Sequence, residues 1–139
     1  MSDELRADFS RSARRWADAA WADGWHAHAF DVLDHAIRLD PDDFKLFRKR
    51  GAFHLICPDP WLQDLGRGFT DLRRACELAG WRGDLVEWAS GLMAEFGDAR
   101  RAEELLELAR QAWAEFGDDQ SASEYAEGFD DALVSLPTG

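Results

Sequence analysis

One series of small and large residues recurs at fixed offsets and constrains the fold of this chain more than any other feature. Gly24, Ala29, Leu33 and Ala36 are spaced by five, four and three residues, and Gly97, Ala102, Leu106 and Ala109 repeat that spacing. Between them, Gly68, Leu72 and Ala75 supply the last three positions, with Gly68 standing where the other copies have alanine. Leu72 and Leu106 are 34 residues apart, whereas Leu33 and Leu72 are 39 apart. The extra five coincide with Cys57-Pro58-Asp59-Pro60-Trp61, whose two prolines break helices, so this stretch reads as a loop insertion. Offsets of three and four place residues on one face of an α-helix. Small residues on that face let paired helices approach closely, and large ones fill the space between successive pairs.

The series resembles the tetratricopeptide repeat, a helix–turn–helix unit of about 34 residues. Repeat one carries Trp16, Ala17, Gly24, Ala29, Ala36 and Pro41. Repeat two carries Phe47, Gly51, Gly68 and Ala75 but lacks the turn glycine and closing proline, and repeat three carries Val86, Ser90, Gly97, Ala102 and Ala109, again without the proline. The resemblance covers about residues 10–115. It implies an all-α right-handed superhelix of three antiparallel helix pairs, with repeats at about 10–43, 44–82 and 83–116. A C-terminal capping helix over 119–136 completes one domain, 1–139. Helices are expected near 3–22, 26–39, 43–57, 62–79, 82–96, 99–115 and 121–135. Apolar stripes run along Leu85, Val86, Ala89, Leu92, Met93 and Phe96, and along Ala102, Leu105, Leu106, Ala109, Ala112, Trp113 and Phe116. The last segment has Tyr125, Phe129, Leu133 and Leu136 on one face and acidic residues on the other, as a terminal cap requires.

Composition agrees with helices: Ala, Leu, Arg, Glu and Asp dominate, and there are only four prolines. The net charge is −12, concentrated at the C-terminal end, where residues 98–139 carry three arginines against eleven acidic residues. Such a surface repels phosphate backbones and anionic lipid, so neither nucleic acid nor membrane is an expected partner. No apolar run approaches the roughly 20 residues of a membrane span. The N-terminal stretch lacks the apolar core of a secretory signal, and a cytoplasmic location is expected. Cys57 and Cys76 match no metal or redox spacing and read as reduced, buried thiols.

Little here points to catalysis. His28, Asp31 and His35 share a helical face and are donors zinc accepts, but their spacing departs from the i, i+4 histidine pair of helical zinc sites, and ordinary histidines are the better reading. Asp40-Pro41-Asp42-Asp43 lacks the glycine and alternating ligands of a calcium loop and reads as a turn with an N-cap. His54 and Cys57, at i, i+3, do not by themselves make a nucleophile, and Gly66-Arg67-Gly68 lacks the rest of a phosphate loop. The chain is therefore expected to be no enzyme and to need no cofactor.

The expected activity is binding of another protein or peptide. Tetratricopeptide proteins are similar to one another in lining a concave groove with their first helices. The repeat phase places Arg11, Arg14, Asp18 and Trp21 on that groove from repeat one, then Lys45, Arg48, Ala52 and Leu55, then Asp84, Glu87, Trp88 and Gly91. Trp16, Trp88 and Trp113 fit packing positions, while Trp61, in the insertion, has no obvious core to enter and is a second candidate contact. The residues expected to hold the partner are Arg11, Arg14, Trp21, Lys45, Arg48, Leu55, Trp61 and Trp88. The resemblance implies an adaptor, scaffold or chaperone. Two rivals are a bacterial immunity protein or secretion chaperone that neutralises a dedicated partner, and a metal protein or enzyme built on the histidines.

Overall fold

A computed structural model describes residues 2–115. Six α-helices and no strand occur among them: α1 Asp3–Ala22, α2 His26–Leu39, α3 Phe44–Ile56, α4 Leu65–Leu78, α5 Gly83–Phe96 and α6 Ala99–Glu115. None is long and apolar enough to cross a membrane. The expected capping helix over 121–135 lies outside the described residues. The chain divides into two compact units, Met1–Ala75 and Cys76–Gly139.

In the first unit, Ser2 caps α1 by accepting the Leu5 N–H, and the helix turns Ser10, Ala13, Ala17 and Ala20 inward. That stripe is small, so α2 packs closely along it through Ala29, Leu33 and Ala36. Gly24 makes the tight turn possible. At φ +83° it occupies the left-handed region that a side chain disfavours, while Trp25 N–H closes back onto the Ala20 carbonyl. Asp43 caps α3 through the Lys45 N–H, as the Asp40–Asp43 stretch implied. Asp40 is buried and accepts the Ser10 hydroxyl at 2.8 Å. α3 and α4 meet through their glycines: a Cβ on Gly68 would stand 2.7 Å from Leu55 Cδ2, and one on Gly51 would stand 3.0 Å from the Asp71 and Leu72 side chains.

α4 starts at Leu65, three residues later than the expected 62. The preceding loop holds its own bonds instead. Leu62 and Gln63 N–H donate to the Asp59 carbonyl, the Gln63 amide donates to the Leu55 carbonyl, and Asp64 accepts from the Arg67 N–H.

In the second unit α5 and α6 pack on each other. Leu85, Val86, Ala89, Leu92 and Met93 are buried as the stripe predicts, with Ala102, Leu105 and Ala109 from α6, but Phe96 at the end of α5 is exposed. Trp81 takes φ +60°, unusual for a non-glycine residue, and its carbonyl accepts the Trp113 indole N–H at 2.8 Å. Ala102 and Ala109 have no room to grow. Leucine at either site overpacks the α5–α6 contact and is expected to cost about 1–3 kcal/mol in a urea melt. Melts matching the parent would mean these alanines are not interhelical.

Candidate functional site

Three of the eight expected partner-binding residues line one cavity. Arg11 and Arg14 of α1 and Lys45 of α3 border a space of about 460 Å³, joined by Arg6, which the repeat phase leaves out because it precedes the first repeat. The side chains are unequal in what they already hold. Arg11 bridges its helix neighbour Asp8 at 3.3 Å, an exposed pair of small energetic weight. Arg6 and Arg14 each keep an Nε–H that is buried and has no acceptor among the described residues. Asp3, Asp40, Asp42 and Asp43 share the cavity wall. Two of these are committed elsewhere: Asp40 to Ser10, and Asp43 to the N-terminus of α3. Two donors at the site thus find no acceptor among the described residues, and an anion that reached them would supply one.

The other expected contacts are placed differently. Trp21, expected on a groove, is packed: its ring stacks on Phe53 at 3.9 Å and 9°, and lies 4.4 Å from the His26 ring. Leu55 is fully buried, because Gly68 lets α4 come down on it. Arg48 sits over the Phe44 ring at 5.6 Å. Trp88 is half-buried in the second unit. Trp16, expected to pack, is 60% exposed and touches His28 edge-on. Compared with family models, with curated proteins and with solved structures, the chain matches none.

Trp61 is 78% exposed and borders a second cavity of about 550 Å³. Its floor is a charge cluster. Arg50 donates Nε and Nη2 to the two oxygens of Asp71, each at 2.8 Å, and Nη1 to Asp34 at 2.9 Å. The hydrogen bond donated to Asp71 leads the causes that raise the Arg50 pKa, against the opposing effect of burial. His54, behind it, donates to the Leu62 carbonyl, and burial pushes its pKa down, so the ring resists protonation. Sequence reasoning missed this clamp, because the partners of Arg50 lie 16 and 21 residues away.

The histidine face considered from sequence stays dispersed. His28, Asp31 and His35 are exposed along a mostly apolar groove with Phe9 and Trp16. Both cysteines are free and buried, and burial pushes the Cys76 thiol up to about 12.

Proposed function

We propose that this chain binds a protein or peptide through an acidic side chain seated among Arg6, Arg11, Arg14 and Lys45. One observation carries the reading: Arg6 and Arg14, which both line the cavity, each have a buried Nε–H with no acceptor among the described residues. Arginine's fixed fork suits a carboxylate better than a point cation does. The net charge of −12 does not forbid this, because at physiological salt exposed charges are screened beyond about 8 Å, and within the cavity four cationic groups balance the four carboxylates of its wall. The tetratricopeptide-like superhelix of three antiparallel pairs, and with it the adaptor, scaffold or chaperone role, is part of this proposal. The helix lengths, the glycine turn after α1 and the alanine-lined contact of α1 with α2 support it.

A second reading has the partner on the 57–64 loop, and the exposure of Trp61 favours it. Binding of a glutamate-rich fluorescent peptide, measured by anisotropy, separates the two. On the first reading, Arg6→Gln or Arg14→Gln weakens binding and Trp61→Ala does not. The reverse pattern places binding on the loop.

A further inference from the structure

We infer that the start of α2 and the loop after α3 form a site for a zinc-like divalent ion, with His26, Cys57 and Asp59 as its protein ligands. One ring nitrogen, one thiol sulfur and one carboxylate oxygen from these residues lie within 4.8 Å of one another. They come from two regions far apart in sequence: His26 is the first residue of α2, Cys57 is the C-cap of α3, and Asp59 follows two residues later. Nitrogen, sulfur and oxygen donors together suit zinc and its neighbours, whereas calcium and magnesium take oxygen alone.

The surroundings hold these groups in place. Nδ1 of His26 donates to Asp59 at 2.9 Å, and Trp21 packs against the imidazole at 4.4 Å. Pro58 and Pro60 flank Asp59 and fix two backbone angles of the loop that carries it. Cys57 is buried. Burial raises its thiol pKa, the backbone N–H of Asp59 acts against that rise, and the Asp59 carboxylate adds to it. A divalent ion reverses the electrostatic cost by supplying the positive charge the thiolate lacks.

Ligand bonds of about 2.0–2.3 Å place tetrahedral donors about 3.5 Å apart, so the His26–Asp59 pair, at 2.9 Å, would open slightly, while any pair of donors now near the 4.8 Å limit would close by about an ångström. Coordination displaces the hydrogen that His26 Nδ1 directs at Asp59, and the ring carries its proton on Nε2 instead. The Cys57 thiol proton passes to solvent. Three protein donors leave one position for water or a ligand from a partner. The ion would fasten the loop bearing Trp61 to the N-terminus of α2. This inference is independent of the arginine cavity, which uses none of these residues.

Titration of the full chain, reduced and freed of metal by chelator, with cobalt(II) tests it. The expected result is a near-ultraviolet thiolate-to-cobalt charge-transfer band that saturates at one ion per chain and disappears on adding zinc. Cys57→Ser should abolish the band, and Cys76→Ala should keep it. His26→Gln and Asp59→Asn should each weaken cobalt by at least about tenfold, the loss that even outer-shell changes commonly cause. These two sites are only partly buried, so the measurement stands if Cys57→Ser fails to fold. No band in the folded parent, a band that survives Cys57→Ser, or unchanged affinity in both His26→Gln and Asp59→Asn overturns the assignment.

Discussion

Arg50→Leu will destabilise the protein by about 3–5 kcal/mol, the range for removing one partner of a buried ion pair. The size comes from what is left behind. The Asp71 side chain is only 6% exposed, and both its oxygens are satisfied by one guanidinium. Without Arg50 it is a buried carboxylate with neither countercharge nor donor from that side chain. Asp34, 46% exposed, keeps access to water and adds little to the loss. The double replacement Arg50→Leu, Asp71→Leu should recover much of the stability, because the stranded charge goes with its partner. Lys49 and Asp18 make the contrast. They meet at 2.6 Å, but Asp18 is 54% exposed, so Lys49→Ala should cost about 1 kcal/mol or less through that bridge. Urea melts at constant slope measure all three variants. Arg50→Leu melting with the parent would mean that Asp71 finds water in solution.

Arg14→Met should split binding from stability. Loss of one partner of a desolvated, hydrogen-bonded charge pair costs about 2–5 kcal/mol of affinity, most of it in the off-rate. In the free protein the same change removes a buried donor that has no acceptor and keeps most of the apolar stem, so folding should be unchanged or improved by about 1 kcal/mol. A site kept for binding at the expense of stability behaves this way. An Arg14 that served the fold would lose stability on replacement and leave affinity alone.

The helices were legible in the sequence because each rests on local signals. The Ser10, Ala13, Ala17, Ala20 stripe, the turn at Gly24 and the cap at Asp43 are all short-range features, and the expected and observed limits agree to within a few residues. Which tryptophan of α1 packs was not legible. Trp16 and Trp21 both lie on one amphipathic helix, and the choice between them is made by Phe53 of α3, 32 residues beyond Trp21. Leu55 was expected on a groove and is buried for a similar reason. The signal was present in Gly51 and Gly68, which admit a close crossing, but nothing local shows that they face each other. Repeat phase grouped Arg11, Arg14 and Lys45, and the three line one cavity. Arg6 was missed because it lies ahead of the first repeat, and that the Arg6 and Arg14 Nε–H groups find no partner among the described residues is a property of the assembled structure alone.

The central claim is that the unpaired arginine donors await an acidic side chain, and the Nε–H resonances of isotope-labelled protein test it most directly. In the free protein, Arg6→Lys and Arg14→Lys identify the two signals by their loss. On adding the glutamate-rich peptide, both signals should move downfield and exchange more slowly with solvent, as donors do on gaining a charged acceptor. Arg100, on α6, should not change. Movement of neither Arg6 nor Arg14 at peptide concentrations that saturate binding would contradict the account.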